Sequence, residues 1–379
     1  MMDTLTYLCR CVCWNIPKID DYKRFANASI ANGNTILPLE AAPEKMPLPT
    51  VSWKFRGQPK QGRLPDLLAH TGTTACIVLQ HGQVLYEQYL NGYQRTSVNT
   101  SFSAAKSMTS TLVGIAIAEG AIHSVHDPVA RYLPAFDRHG PDQITISHLL
   151  QMCSGLDYRE GVFPWTDDAR VYYGLRLREQ ALKAKLIETP GTVYHYNNYN
   201  LLLLGMILEK STGQSVPAYF SEKIWQPMGA EAGASWSMDS RHSGFAKMES
   251  GFNALAIDFA RFGQLCLQNG QLNGRSIIPA DWMQESTSRP VHMPDTQTYL
   301  SRMMPPLCKW AGSPHGYYKY LWWGYQTDPH NFDYFALGVK GQLIYISPRK
   351  QAVIVRFGKK WGQIDWWPEV LKQIADSLM

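Results

Sequence analysis

The stretch "TSFSAAKSMTSTLVGIAIAEG" (residues 100–120) begins with polar residues and continues as an apolar run. This pattern predicts a buried helix that begins near Ser103. Residues three apart share one face of a helix, so the amine of Lys106 would lie near the hydroxyl of Ser103. A nucleophile and its base need this geometry, and unpaired N–H groups of the first turn stabilise a developing oxyanion. The alternative is that Ser103 caps the helix and Lys106 is solvated.

The Ser-x-x-Lys spacing occurs twice in the chain, and context separates the two copies. Ser347 and Lys350 flank Pro348 between two predicted strands, so Lys350 need not face Ser347. Around Lys106, the neighbouring alanines and "LVGIAIA" supply apolar surroundings that lower the pKa of a lysine. The first copy is therefore the candidate for chemistry.

A second polar cluster, "PGTVYHYNNYNLLLLG" (residues 190–205), directly precedes another apolar helix. Its tyrosines and asparagines exceed what helix capping needs. The Tyr196 phenol, with its pKa pulled down beside a lysine ammonium, can act as a general base. The Asn198 carboxamide can donate to a substrate or fix the lysine.

Composition excludes several functional classes. The 379 residues are 45% hydrophobic and 18% charged, as in globular proteins, and the net charge of +5 is scattered without a basic block. No electrostatic footprint for nucleic acid is present. Seven cysteines, three of them clustered at Cys9, Cys11 and Cys13, give no disulfide framework and favour a reducing compartment. No second cluster completes a metal site, and no cofactor is implied.

The order of elements predicts an α+β fold. "ACIVLQHGQVLYEQYL" indicates a hairpin, and "YFALGVK", "QLIYIS" and "QAVIVRFG" indicate three late strands before a closing helix. We expect these strands to share one antiparallel sheet flanked by helices, in an α/β lobe of residues 71–127 and 236–379. Residues 128–235 would form an inserted helical lobe, with the site in the cleft between the lobes. Residues 1–70 are expected to be an irregular leader; its apolar run "LTYLCRCVCW" is too short for a signal peptide or membrane anchor.

These residues resemble the penicillin-recognising serine hydrolases, in particular the class C β-lactamase-like branch that includes carboxylesterases and 6-aminohexanoate-dimer hydrolase. The family's Ser-x-x-Lys motif is matched at Ser103 to Lys106, and its Tyr-x-Asn motif at Tyr196 to Asn198. The phrases "DPVARYLP", "ITISHLLQMCSGL", "FARFGQLCLQNG" and "IIPADWM" are also similar. Together the matches span roughly residues 75 to 360.

The resemblance implies a β-lactamase/transpeptidase-like fold and a covalent mechanism. Ser103 would attack a carbonyl, and Lys106 and Tyr196 would transfer its proton to the leaving group. Asn198 would hold the substrate or Lys106, and water would hydrolyse the acyl-enzyme.

The third family motif, Lys-Thr-Gly or His-Thr-Gly, is altered. Its strand "FALGVKGQLIYISP" places Ala336-Leu337-Gly338 in the motif, which removes the usual cation. The backbone N–H of Val339 would then be the second oxyanion donor; in the other register, Lys340-Gly341 is the remnant. Because the missing cation engages the carboxylate of a β-lactam, an ester or amide without that carboxylate is the expected substrate.

Aromatic and acidic residues offer candidates for the substrate pocket, each with a structural alternative. The aromatic candidates, which could instead pack the lobe interface, are Phe163, Trp165, Tyr173, Trp322 and Trp323. Asp167 and Asp168 could bind a cationic group of the substrate, but capping of the following helix is the preferred interpretation.

The sequence thus predicts a serine hydrolase acting on a small-molecule ester or amide. A β-lactamase or D-amino-acid peptidase is the alternative within this chemistry, and a non-catalytic binding or sensor protein on the same scaffold is the alternative of another class. No partner nucleic acid or clear membrane segment is indicated, and the oligomeric state is open. The lack of a readable export signal favours the cytoplasm, although members of the resembled family are often exported.

Overall fold

The computed structural model describes residues 2–47, 49–139, 143–296, 313–328 and 330–379. Within them the chain alternates between strands and helices. Numbered along the chain, the strands are β1 (Ala26–Ile30), β2 (Thr50–Phe55), β3 (Gln58–Arg63), β4 (Thr73–Gln80), β5 (Gln83–Tyr89), β6 (Val98–Thr100), β7 (Ala234–Met238), β8 (Phe252–Leu255), β9 (Gln271–Leu272), β10 (Arg275–Ser276), β11 (Gly316–Lys319), β12 (Trp322–Asp328), β13 (Asn331–Gly338), β14 (Gln342–Ser347) and β15 (Ala352–Gly358).

The α-helices follow the same numbering. They are α1 (Met2–Trp14), α2 (Leu64–His70), α3 (Ala105–Ala118), α4 (Ile146–Leu150), α5 (Asp167–Tyr173), α6 (Leu177–Ala181), α7 (Asn198–Thr212), α8 (Val216–Phe220), α9 (Ala256–Leu267), α10 (Ala280–Thr287) and α11 (Trp367–Ser377).

A seven-stranded antiparallel sheet is the base of the fold. Its strand order is β11-β12-β13-β14-β15-β4-β5. β4 pairs with β5 as the predicted hairpin, and β4 also pairs with β15, with Ile77 opposite Val355. The prediction that the early hairpin and the late strands share one sheet is therefore confirmed. β11 and β12 extend the sheet beyond the three late strands that the sequence predicts.

Helices cover both faces of this sheet, as the two-residue period of β15 shows. On one face the ring of Phe357 lies 4.6 Å from that of Phe259 in α9. On the other face the guanidinium of Arg356 lies 4.2 Å from the ring of Trp367 in α11. Successive side chains of a strand point to opposite faces, so a single strand contacts both layers.

A second, four-stranded sheet brings two distant segments together. Its order is β1-β7-β8-β6, and in the antiparallel pair of β6 and β8 Thr100 lies opposite Asn253. The last residue of β6 thus meets the start of β8. Consequently the residues that follow β6 and those that precede β8 lie at the same end of this sheet.

Helix α3 runs through the core. Nearly all of its residues are buried, including the polar ones of its first two turns as well as the apolar run that follows. Gly114 lets the helix approach α10, because a Cβ there would overlap the indole ring of Trp282. The helix that follows the candidate serine is therefore packed against other elements around most of its surface.

The prediction of an irregular leader over residues 1–70 is wrong. The segment contains helix α1, strand β1 in the small sheet, the hairpin β2–β3 and helix α2. The partners of two of these elements are far away in sequence: β1 pairs with β7, and Arg10 of α1 donates to the carbonyl of Asp239 at 2.9 Å. Such tertiary contacts leave no local periodicity in the sequence.

We propose two lobes, close to those that the sequence predicts. In the part of residues 128–233 that the structure describes, no strand joins either sheet. The proposed boundary lies before Ala234 rather than after residue 235, because β7 begins there and pairs with β1 and β8.

Substitution of Gly114 by Ala is expected to lower the free energy of unfolding by about 1–3 kcal/mol, because the rigid Trp282 ring occupies the space of the new methyl group. Gly205→Ala in α7 is the matched control. Its new methyl group would lie 2.6 Å from Cγ of Met248, a flexible side chain that can move, so the loss should be smaller. Urea unfolding of both variants measures the difference, and equal losses would contradict the role given to Trp282.

Candidate active site

Ser103 lies in a tight turn between β6 and α3. The turn is a 3₁₀ helix over Phe102–Ala104, and α3 begins only at Ala105, slightly later than predicted. Phe102 is buried and has a φ of +44°, a left-handed conformation that a bulky residue rarely adopts. Its neighbour Ser101 is fixed by a 2.9 Å hydrogen bond from its N–H to the carbonyl of Phe252. The strained turn leaves the Ser103 side chain partly exposed.

Lys106 is buried against Ser103. Its Nζ lies 2.9 Å from Oγ of Ser103 and donates to the carbonyl of Glu249 at 3.0 Å. Only 2% of the residue is exposed, so the alternative of a solvated lysine does not hold. Burial lowers the pKa of Lys106 to about 7, and the nearby charges of Glu249 and Asp168 act in the opposite direction. The amine can therefore exchange a proton near neutral pH.

Tyr196 completes a group of three with Ser103 and Lys106. Nζ of Lys106 lies 4.9 Å from the centroid of the Tyr196 ring, and the phenol is hydrogen-bonded to Ser103. Burial raises the pKa of Tyr196, although the hydrogen bond with Ser103 acts against this shift. The expectation that a lysine ammonium lowers this pKa is wrong, because desolvation of the phenolate raises it and the charges of Asp168 and Glu160 act in the same direction. Tyr196 is therefore a neutral phenol at pH 7.

The asparagines that follow Tyr196 have different roles. The side chain of Asn197 caps α7 by accepting from the N–H of Tyr199 at 2.8 Å, and buried Asn200 accepts from Ser154 at 2.7 Å. These two are structural. Asn198 is the remaining candidate for a role in the site. Its Nδ2 donates to the hydroxyl of Tyr158 at 2.7 Å instead of contacting Lys106.

Asp168 connects α5 to the start of α7. Its Oδ1 accepts from the hydroxyl of Tyr158 at 2.5 Å and from Nδ2 of Asn198 at 3.2 Å, and its Oδ2 accepts from the N–H of Gly161 at 2.9 Å. Asp167 accepts from the N–H of Arg159 at 2.8 Å. The preferred interpretation as helix caps is wrong, since both carboxylates hold the preceding loop. Oδ1 of Asn198 is buried and has no hydrogen-bond partner among the described atoms.

The end of β13 lies against the serine turn. A Cβ on Gly338 would lie 3.1 Å from the backbone nitrogen of Ser103 and would overlap the carbonyl of Ser101. β12 pairs with β13 only as far as Phe335, so beyond that residue this edge of β13 faces the turn. Among the two registers, this close approach favours the one with Gly338 in the motif.

Arg356 holds the turn after β13 through hydrogen bonds to its backbone. This buried guanidinium donates to the carbonyl of Lys340 at 2.6 Å and to that of Gly341 at 2.9 Å. Val339 is 55% exposed, and Lys340 has a left-handed φ of +65° and is partly buried. Burial lowers the pKa of Lys340, and the carboxylate of Asp21 acts in the opposite direction.

Tyrosine and tryptophan rings surround the phenol of Tyr196. Its ring lies 5.7 Å from that of Trp323 and 6.3 Å from that of Tyr318, and Tyr318 packs edge-on against Trp323 at 4.9 Å. Of the predicted lining residues, only Trp323 shows such a contact among the described rings. Trp322 is fully buried beside Tyr334 in the sheet, which makes it a core residue.

The other aromatic candidates lie elsewhere. Phe163 and Trp165 stack on each other at 4.8 Å and are 56% and 64% exposed, so they form a surface pair on the loop that Asp168 anchors. Tyr173 is buried and donates to the carbonyl of Asn15 in the N-terminal segment. Neither contact involves Ser103.

The second Ser-x-x-Lys copy has a different geometry. Ser347 ends β14 with 2% of its surface exposed, and Nζ of Lys350 donates to the carbonyl of Leu378. The prediction that Lys350 need not face Ser347 is confirmed. A turn containing Pro348 thus separates two side chains that a helix would bring together.

Two residues at the site, Glu249 and Tyr318, are not predicted from the sequence. Glu249 contributes a backbone carbonyl, which every residue has, so no side-chain pattern identifies it. Tyr318 lies in β11, where "GYYK" is a short aromatic run whose strand propensity is a signal for this element.

Within the described part of the chain, no three or more His, Cys, Asp or Glu side chains are grouped as metal ligands. The helices found there are also too short or too polar to cross a lipid bilayer.

Gly338→Ala is expected to slow the reaction of Ser103 with a fluorophosphonate by tenfold or more, because the added methyl group would displace the serine turn by overlap with Ser101. Gly62→Ala in the β2–β3 hairpin is the control, since its Cβ would meet only the Trp53 ring at 3.3 Å. Labelling rates from intact-mass spectrometry measure the effect. Equal rates for the two variants would exclude a role for the close approach of β13.

Comparison with known proteins places this geometry in a family. The family model described as Beta-lactamase matches residues 61–365. The 6-aminohexanoate-dimer hydrolase of Paenarthrobacter ureafaciens is 26% identical over 348 residues, which cover 88% of this chain and 83% of that protein. Esterase EstB of Burkholderia gladioli is 31% identical over 176 residues, 40% of this chain and 44% of that protein.

A solved structure extends the likeness to the whole fold. A Bacillus anthracis protein assigned as a 6-aminohexanoate-dimer hydrolase superposes with a TM-score of 0.76 at 24% identity, covering 95% of this chain and 94% of that one. The predicted β-lactamase/transpeptidase-like α+β fold is confirmed. The family match over most of the chain, with relatives that are hydrolases, shows that this chain is a serine hydrolase belonging to the β-lactamase family.

Proposed function

We propose that the protein cleaves an ester or amide bond through an acyl-enzyme on Ser103. The observation that carries this proposal is the 2.9 Å contact between Nζ of buried Lys106 and Oγ of Ser103. Oγ attacks the carbonyl carbon of the substrate, and its proton passes to the amine of Lys106 as the C–O bond forms. A lysine can take this proton only when neutral, and burial favours the neutral form.

Tyr196 is proposed as the acid that completes the first half-reaction. A neutral phenol hydrogen-bonded to Ser103 can give its proton to the departing oxygen or nitrogen, and Lys106 can restore that proton. The bond between the carbonyl carbon and the leaving group then breaks, which leaves the acyl group on Ser103. Water attacks the ester, the same groups accept and return its proton, and a carboxylic acid is released.

The oxyanion of each tetrahedral intermediate is proposed to bind between two backbone N–H groups, those of Ser103 and Val339. The close approach of Gly338 to the nitrogen of Ser103 supports this pairing, because Val339 follows Gly338 directly. Preorganised donors of this kind stabilise negative charge at no reorganisation cost. Arg356 would keep the second donor in place by holding the carbonyls after it.

An uncharged acyl group is the proposed substrate feature at this edge of the cleft. The motif position that carries a cation in the resembled family is occupied by Ala336, which is fully buried. The partly exposed ring of Tyr196, backed by the buried rings of Tyr318 and Trp323, gives this side of the site an aromatic character that favours an apolar group. The unpaired Oδ1 of Asn198 is proposed to accept from a substrate N–H.

Relatives support both ester and amide chemistry. The Paenarthrobacter ureafaciens relative is named as a hydrolase of the 6-aminohexanoate dimer, a compound joined by an amide bond. The Burkholderia gladioli relative is named as an esterase. A β-lactamase or D-amino-acid peptidase is less favoured because the motif cation is missing. A non-catalytic binding protein is less favoured because Lys106 faces Ser103.

Incubation of the wild type with a fluorophosphonate is expected to give stoichiometric labelling, seen as one adduct by intact-mass spectrometry. Ser103→Ala should abolish both labelling and hydrolysis of p-nitrophenyl acetate and butyrate, and Lys106→Met should lower both at least 100-fold because the base is lost. Ser347→Ala is the matched control from the second Ser-x-x-Lys copy and should label normally.

Absence of labelling and turnover in the wild type would refute the hydrolytic mechanism on Ser103 and favour the binding-protein alternative. Hydrolysis of a cephalosporin faster than that of the esters would favour the β-lactamase alternative.

The pH dependence of kcat/KM is expected to rise through about pH 7, where Lys106 loses its proton. The sign follows from its role: the protonated amine cannot act as a base, so activity is lost below the pKa of Lys106 and is present above it. Ester hydrolysis between pH 5 and 9 measures this limb. An ascending limb centred above pH 9 would show that Lys106 is an ordinary cation and would contradict the proposed base.

A further inference from the structure

The carbonyl that accepts from Lys106 belongs to one member of a buried ion pair. Glu249 Oε1 lies 3.1 Å from Nζ of Lys247, and the two side chains are 5% and 1% exposed. Such pairs are rare because burial of two charges costs solvation that a single contact seldom returns. Neither side chain has a role in the mechanism proposed above, although the pair lies beside Lys106.

The turn that carries the pair is rigid. The N–H groups of Ser250 and Gly251 both donate to the carbonyl of Lys247, at 3.2 and 2.8 Å, and this closes the chain just before β8. A Cβ on Gly251 would lie 2.8 Å from that same carbonyl oxygen. Because β8 pairs with β6, this turn lies beside the one that holds Ser103.

Lys247 has a full set of acceptors. Besides Glu249, its Nζ donates to the carbonyls of Val171 at 2.9 Å and Tyr172 at 2.8 Å, at the end of α5. Its Nζ also lies 5.0 Å from the ring centroids of both Phe25 and Tyr172. Three acceptors match the three N–H groups of an ammonium, so the geometry suits the charged form even though burial lowers the pKa of Lys247.

Glu249 is less completely compensated. Its Oε1 receives Lys247 and the hydroxyl of Ser250 at 2.8 Å, whereas its buried Oε2 has no hydrogen-bond partner among the described atoms. A carboxylate with one unpaired oxygen in an apolar interior exerts a field on nearby cations. The cationic form of Lys106, which is bonded to the carbonyl of this same residue, is such a cation.

We propose that the buried Lys247–Glu249 pair is a positioning and tuning element for Lys106: Lys247 fixes the Glu249 turn, and the Glu249 charge sets how readily Lys106 holds a proton. This inference rests on the proposed role of Lys106 as base. Among the described residues, the other groups that face Lys106 are the hydroxyl of Ser103, the phenol of Tyr196 and the carboxylate of Asp168 on α5.

The direction of the tuning follows from charge. A negative carboxylate favours the protonated amine and so opposes the effect of burial on Lys106. Removing that charge while keeping the backbone carbonyl should make Lys106 a weaker base, with a lower pKa. Glu249→Gln is therefore the informative substitution, because glutamine has nearly the same shape and leaves the carbonyl contact intact.

The test compares the ascending pH limb of kcat/KM for p-nitrophenyl butyrate in the wild type and in Glu249→Gln. The limb should move to lower pH by about one unit, the scale expected of a nearby opposite charge. Asp258→Asn is the matched control: Asp258 is a fully buried carboxylate paired with Arg261 in α9, so its loss should lower stability without moving the limb.

A second readout does not depend on turnover. The ¹³C chemical shift of Lys106 in lysine-labelled protein, assigned with Lys106→Arg, reports its titration directly. If neither readout moves in folded Glu249→Gln, the proposed tuning is overturned. If wild type fails to hydrolyse esters or to label at Ser103 while the Lys106 titration still moves, the proposed function fails and the tuning stands.

A double variant protects the test against misfolding. If Glu249→Gln alone does not fold because Lys247 is left uncompensated, Lys247→Met combined with Glu249→Gln removes both charges. A lower pKa of Lys106 in the double variant supports the proposal, and an unchanged pKa overturns it.

Discussion

The active site depends on one buried amine. Nζ of Lys106 has two acceptors, the hydroxyl of Ser103 and the carbonyl of Glu249, and almost no access to water. An ammonium in this place loses hydration that two neutral acceptors do not replace, so the neutral amine becomes accessible near pH 7. The same burial makes the phenol of Tyr196 hold its proton. One cause thus separates the proton affinities of an amine and a phenol that lie side by side, the proposed base and acid.

The fold supplies this environment by joining segments that are distant in the chain. The antiparallel pairing of β6 and β8 places the serine turn beside the Glu249 turn, and the end of β13 closes the third side through Gly338. The start of α7 adds Tyr196 from the other lobe that we propose. Each contact is short range, but the partner residues are distant in the sequence, so the site exists only in the folded chain.

Membership in the β-lactamase family fixes the fold and the class of chemistry, while we propose that the residues around Ser103 set the substrate. In the favoured register Ala336 occupies the position of the usual cation, and the rings of Tyr318 and Trp323 pack against the ring of Tyr196. In the proposed mechanism these features concern recognition of the acyl and leaving groups, not the proton path. Families of enzymes diversify in this way, because the residues that move protons tolerate less change than those that contact a substrate.

The sequence by itself determined the α+β class, the hairpin and late strands, and the candidates Ser103, Lys106 and Tyr196, because helical spacing and strand alternation are local properties. It failed for the N-terminal segment, where β1 pairs with a strand far away in the sequence. It also missed β11 and β12, although their aromatic residues favour strands. Only the tertiary structure decided the proton affinity of Tyr196, the choice of Glu249 as acceptor and the register at Gly338. The reason is physical: desolvation and close approach depend on what surrounds an atom, and neighbours in space are not encoded by spacing along the chain.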